Sequence, residues 1–135
     1  MERGQEEDHP KALLLRRLEQ EVARVHPLRA ADVALLVGRR PRDLVRDSER
    51  PAETRHLPAD LRLQSHLRQV VAIVSMASRH CDSLSEALHW YRSAKLAGEG
   101  GRTPEDLTAQ GRQSQACRSL ALQAANEDSC FSASC

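Results

Sequence analysis

Apolar side chains recur at steps of three and four along most of this chain, the spacing of one face of an α-helix. Ala12, Leu13, Leu15, Leu18, Val22 and Val25 make such a stripe between Pro10 and Val25. His26-Pro27 closes it, because a residue before proline avoids the helical region. Leu28 to Gly38 reads as a short helix with a glycine stop, and Arg39 to Arg46 as a second one with Pro41 near its first turn. Ala31, Ala34 and Leu35 are expected where these two helices pack, with Leu44 and Val45 on the same core and the arginines outside. Two short helices joined by a tight glycine turn make a helix-turn-helix candidate. The polar stretch 47–56 reads as a linker, and the preceding residues 1–9, polar and acidic, as disordered.

The longest element begins at Leu57-Pro58. Leu63, Leu67, Val70, Val71, Val74 and Ala77 form its stripe to about His80, and Ile73 and Met76 widen it past one face. A helix with apolar residues on more than one side has two neighbours to bury against. Either a second copy of the chain or the rest of its own fold can supply the extra one; residues 57–82 are therefore read as a connecting and dimerisation helix.

Helix starts and stops are sharpest after this point. Ser83-Leu84-Ser85-Glu86 fits a capping box, and Leu84, Ala87, Leu88 and Tyr91 continue at helical spacing beside Trp90. Thr103-Pro104-Glu105-Asp106 supplies a cap, a proline suited to the first helical position, and two acids at the positive end of the helix dipole. Gly111 is placed to end that helix in the left-handed conformation. A last helix over 112–126 points Ala116, Leu120, Ala121 and Ala124 inward. Residues 127–135 read as a flexible tail. Strand-like alternation is missing, so the fold expected is all-α: one domain, or two small helical subdomains sharing a core.

Composition narrows the chemistry. Of 135 residues only three are aromatic, so aliphatic side chains must fill the core. Twenty basic and nineteen acidic residues leave a net charge of +1, which gives no bulk attraction for polyanions. The distribution is uneven, however: Arg39, Arg40, Arg42 and Arg46 face a single acid, Asp43, between positions 38 and 46. Arg39, Arg42 and Arg46 step by three and four, so one helix face could present them to a groove or to phosphates.

The four cysteines, Cys81, Cys117, Cys130 and Cys135, contain no C-x-x-C and match neither a zinc site nor a compact disulfide framework. Six scattered histidines form no H-E-x-x-H or similar pair, and the glycines at 98, 100 and 101 are not a phosphate loop. No acid, base and nucleophile layout is recognisable, so a non-enzyme without metal or cofactor is expected. The N-terminus has no signal-peptide pattern and no apolar run approaches a membrane span, which predicts a cytoplasmic protein.

The order of features from Ser83 to Leu120 is more specific than a plain helical bundle. Trp90 closes one helix, Leu96 follows, Gly100-Gly101-Arg102-Thr103-Pro104 opens the next, and Asp106-Leu107, Gly111 and Leu120 come after. This resembles the C-terminal toxin-binding domain of the MbcA/ParS/Xre antitoxin family. With the helix-turn-helix candidate at 10–56 and the long helix at 57–82, the likeness spans roughly Pro27 to Ala125. Four features depart from the family pattern: Arg40 stands where a Ser or Thr cap is usual, the loop between Trp90 and Gly100-Gly101 is one residue longer than is common, Ser93-Ala94-Lys95 replaces its Asn-Pro, and Thr108 replaces a second leucine.

The resemblance implies a type II antitoxin whose region 83–126 covers the active site of a RES-type, NAD-degrading toxin, and whose helix-turn-helix represses its own operon. It implies toxin contacts at Trp90, Arg92, Lys95, Leu96, Gly101, Arg102 and Glu105. Operator DNA, through Arg39, Arg40, Arg42 and Arg46, and a second copy of the chain are the other implied partners. The same elements also suit a stand-alone helix-turn-helix regulator, or a helical adaptor that binds a protein and no DNA.

Overall fold

The computed structural model describes residues 3–96 and 98–126, and the side chains of 10–96 and 98–121. The described residues are helical, with no strand among them: α1 (Arg3–Ala23), α2 (Ala30–Val37), α3 (Pro41–Ser48), a 3-10 turn (Ala52–Thr54), α4 (Ala59–His80), α5 (Leu84–Ser93), α6 (Pro104–Ala109) and α7 (Gln113–Asn126). The fold is all-α, as the periodicity predicts. No helix among the described residues is long and apolar enough to cross a membrane.

Helix α4 is the centre of the structure and packs against each of the other six helices. Leu67, Val70, Val71, Ile73, Val74 and Ala77 are all buried along it, in one core with Leu15, Leu18, Leu36, Leu44, Trp90, Leu107 and Leu120. The apolar surplus at Ile73 and Met76 is thus consumed inside the chain. Ile73 is buried and Met76 packs partly against the same core. The reason given for a dimer through this helix is removed, because its second neighbour is its own fold.

Other expectations shift in detail. Helix α1 starts at Arg3 rather than Pro10, with Pro10 inside it, so residues 3–9 are not the irregular segment expected. Leu14, not Leu13, turns toward the core, and Leu13 is exposed. In α2 the buried set is Val33, Ala34, Leu36 and Val37, while Leu35 is 65% exposed. In α3 Leu44 is buried and Val45 is exposed. Asp47 and Ser48 belong to α3 and are buried, so the linker begins at Glu49. Ala116 and Leu120 of α7 face the core while Ala121 is exposed; Ala124 and the tail from Glu127 lie outside the described side chains.

Three helices end in the same backbone device. At α2 Gly38 is left-handed and Arg39 N–H donates to the Ala34 carbonyl at 2.9 Å. At α6 Gly111 is left-handed and Arg112 N–H donates to the Leu107 carbonyl at 2.7 Å. At α1 His26 N–H reaches the Glu21 carbonyl at 2.8 Å, and the left-handed position is held by Val25 with φ 58°. This closure is normally built on glycine. A β-branched residue there is strained, since its Cβ crowds the backbone.

The loop after α1 is held by Gln64 of α4. Its side-chain carbonyl accepts from Leu28 N–H at 2.8 Å and its amide donates to the Leu28 carbonyl at 2.7 Å. One side chain thereby satisfies both polar groups of a residue whose own side chain is buried.

Candidate functional site

The turn from α2 to α3 and the start of α6 face each other and are joined by charge. Pro41 sets the first turn of α3, and the Asp43 carboxylate accepts from Arg40 N–H at 3.3 Å. That bond supplies the cap which Arg40, having no acceptor, lacks. Burial acts to raise the Asp43 carboxyl; the Arg40 N–H and the Arg40 and Arg39 guanidinium groups outweigh it and hold the carboxyl below its ordinary range.

Arg39 is the hub. Its Nη1 donates to Glu105 Oε2 at 2.7 Å, and its guanidinium lies 3.5 Å from both Asp47 and Asp43. The Arg39 and Glu105 side chains are 22% and 15% exposed. Burial disfavours the Arg39 charge, but the Glu105, Asp47 and Asp43 carboxylates raise its pKa above the ordinary arginine value. Arg92 of α5 completes the cluster, with Nε 4.0 Å from Glu105 and Nη1 3.5 Å from the Gly38 carbonyl.

Beneath this cluster lie two buried polar side chains. Tyr91 is 2% exposed and hydrogen-bonded to Thr108, whose hydroxyl donates to the Pro104 carbonyl at 2.8 Å. Burial first, then the Glu105 carboxylate, push the Tyr91 hydroxyl far above its usual pKa. A leucine at 108 would leave the Tyr91 hydroxyl without this partner. His66 of α4 is 4% exposed; burial lowers its pKa, and the Asp47 carboxylate only partly offsets this.

The sequence-predicted arginines therefore divide. Arg39 precedes Pro41, so it is not part of the α3 helix and the three-and-four spacing does not apply to it. Its side chain turns inward and is taken by Glu105, which corrects its assignment to a DNA-facing set. Arg40, Arg42 and Arg46 are exposed. Arg40 and Arg46 share Asp43, at 3.5 and 2.8 Å, whereas Arg42 carries no ion pair among the described residues.

The predicted toxin contacts divide in the same way. Trp90 and Leu96 are 2% and 5% exposed and belong to the core, so neither offers an apolar anchor to a partner as it stands. Glu105 is committed to Arg39. Arg92, Lys95, Gly101 and Arg102 are exposed. The loop that carries them is closed at its base: Leu96 N–H donates to the Arg102 carbonyl at 3.0 Å, and Glu99 is fixed to Arg112 at 2.8 Å. Gly98, Gly100 and Gly101 all have positive φ, which lets the chain reverse within this short span.

Two caps fall where the sequence places them. Ser83 Oγ accepts from Glu86 N–H at 3.2 Å, and Thr103 and Asp106 form a reciprocal box at 3.1 and 3.2 Å. Arg39–Glu105 and Tyr91–Thr108 were missed. No spacing in the sequence signals either pair, since the partners lie on different elements. Among the described residues no group of His, Cys, Asp or Glu could hold a metal ion, and Cys117 is a free thiol. No family model matches the chain, and neither the curated proteins nor the solved structures contain a match to it.

Proposed function

We propose that this chain is the antitoxin of a type II toxin–antitoxin pair, binding a RES-type NAD-degrading toxin through the segment from α5 to α6 and regulating its own operon through α3. The observation that carries the reading is the loop between a Ser-capped and a Thr-capped helix. It presents Lys95 and Arg102 to solvent around three glycines of positive φ, with the half-exposed Arg92 at the end of α5 beside them.

The chemistry of that loop suits the role. Glycine lets a partner's backbone come close, and arginine can pair in bidentate fashion with carboxylates at the rim of a cleft. Neutralisation is by occlusion: the loop covers the entrance and the substrate is kept out. The exposed Arg40 at the cap of α3 and Arg42 and Arg46 on it favour a second activity, duplex binding, and support the rival reading of a stand-alone regulator should no toxin exist.

Co-expression with the product of the adjacent gene tests the proposal. The expected result is growth rescue and a co-purifying complex, both lost when Arg92, Lys95 and Arg102 are changed together to Glu. Salt-dependent duplex binding with no co-purifying protein and no rescue overturns it in favour of the regulator.

A further inference from the structure

A second candidate site has His66 in its wall. A cavity of about 190 Å³ opens between the end of α3, the 3-10 turn, α4 and the α6–α7 turn. At about 30 Å³ per molecule that is room for several waters. Its wall is polar, with Ser48, Glu53, Arg62, His66 and Gln113 among the lining residues.

Gln69 pairs with Ser65 at 3.4 Å and Thr54 with the Pro51 carbonyl at 3.3 Å, but three other polar groups of this wall are left unpaired. Arg62 gives one terminal nitrogen to the Leu57 and Arg55 carbonyls at 2.7 and 3.4 Å, while its Nε has no partner. Nδ1 of His66 and Oε1 of Gln113 are likewise buried and unpaired, just beneath the wall. Glu53 and Arg62 line the same cavity without approaching within the 4.0 Å of an ion pair. Leaving a buried group unpaired is costly, and a ligand with the matching groups recovers that cost.

Gly111 lets two parts of the wall come together. Its φ is 77°, and a Cβ there would lie 2.9 Å from Pro51 Cβ and 3.1 Å from Glu53 Oε1. The α6–α7 turn can sit against the 3-10 turn only because this position has no side chain. The site is therefore built from parts far apart in sequence.

We infer that this cavity is a binding site for a small zwitterion of the α-amino-acid class. The separated charges of Arg62 and Glu53 match a carboxylate and an ammonium carried on one molecule. A free anion or a free cation satisfies only one of the two. His66, neutral in its buried position, and Gln113 add hydrogen bonds without adding charge, each after a small side-chain rotation. Binding ties α3 and the 3-10 turn to the start of α7.

The test is a titration of the full chain by heteronuclear NMR with glycine, L-serine and L-glutamine, against acetate and methylammonium as half-ligands. The expected result is saturable movement of the His66 ring and Gln113 side-chain amide signals by at least one amino acid, with a dissociation constant of about 1 mM or tighter. Glu53→Gln and Arg62→Gln should each weaken it about tenfold, close to 1.4 kcal/mol, with otherwise native spectra. Shifts that stay linear for every amino acid overturn the proposal. So does acetate or methylammonium binding as well as the zwitterion, or binding unchanged in both variants. None of these outcomes depends on a toxin or on DNA.

Discussion

Arg39 and Glu105 stand 66 positions apart in the chain and meet at 2.7 Å, the one a residue of the α2–α3 turn and the other of the first turn of α6. Each was expected on a different partner-binding surface, and each is instead spent on the other. The pair ties the segment proposed to meet DNA to the segment proposed to meet a toxin. Leaving one charge of a largely buried pair without its partner is costly. Arg39→Ala and Glu105→Gln should each lower unfolding free energy by roughly 2–3 kcal/mol. The double variant should lose less than the sum by at least about 0.5 kcal/mol, measured as a denaturant double-mutant cycle. Additive losses would show that the contact contributes no coupling.

Duplex binding should follow the exposed cations and ignore the buried one. Arg42→Ala and Arg46→Ala should each flatten the salt dependence by about one unit of slope if that side chain contacts a phosphate. Arg39→Ala should leave the slope unchanged, with any loss of affinity tracking loss of fold. A slope change at Arg39 equal to that at Arg42 would place Arg39 on the outer face.

Leu96 and Arg102 separate folding from capture. Leu96→Asp puts a carboxylate into the core and should destabilise the chain by more than about 3 kcal/mol. Combining it with Arg102→Glu would therefore confound the two effects. Arg102→Glu alone, on an exposed side chain, should stay within about 0.5 kcal/mol in stability. Loss of toxin rescue by that variant with an unshifted melting curve would locate the contact.

The helix ends were legible because they are written locally. Pro41, Ser83, Thr103-Pro104, Gly38 and Gly111 each act within a few residues, and the structure uses all of them. Faces of the short helices were less legible. In α2 apolar residues fill five consecutive positions from Val33 to Val37, so the pattern cannot say that Leu35 is the one left outside. Long-range polar pairs leave no periodic trace. Nothing beside Gln64 announces Leu28, and nothing beside Glu105 announces Arg39. Nothing local in the sequence marks Thr108 as the partner of Tyr91, because the two lie on different helices.

Val25 carries strain that can be relieved. It occupies the left-handed position that Gly38 and Gly111 hold at two other helix ends, and it is 78% exposed. A left-handed β-branched residue costs roughly 1–2 kcal/mol, part of which glycine returns as unfolded-chain entropy. Val25→Gly should therefore stabilise by about 0.5–1 kcal/mol, a rise of a few degrees in melting temperature. Gly111→Ala should do the opposite, because its Cβ would meet Pro51 at 2.9 Å. A Val25→Gly protein no more stable than the parent would mean that the helix end is closed differently.

His66 should set a pH limit on the fold. Burial lowers its pKa below the ordinary histidine value of about 6.5, so the unfolded chain takes up a proton more readily than the folded one. The state that binds more protons gains as pH falls, and here that state is the unfolded one. Stability is thus fully present above about pH 6.5 and declines as pH drops from there toward the folded-state pKa. Chemical denaturation at pH 7.5, 6.5 and 5.5 reads this directly, each pH chosen to bracket the histidine range of about 6.5. His66→Gln cannot take up a proton, so it should show a flatter profile across that window, even if it is less stable throughout. A wild-type profile that is level from pH 7.5 to 5.5, about one unit either side of 6.5, would mean that His66 is accommodated in its charged form. The Asp47 carboxylate, which favours that charge, is the group that would have to supply the compensation.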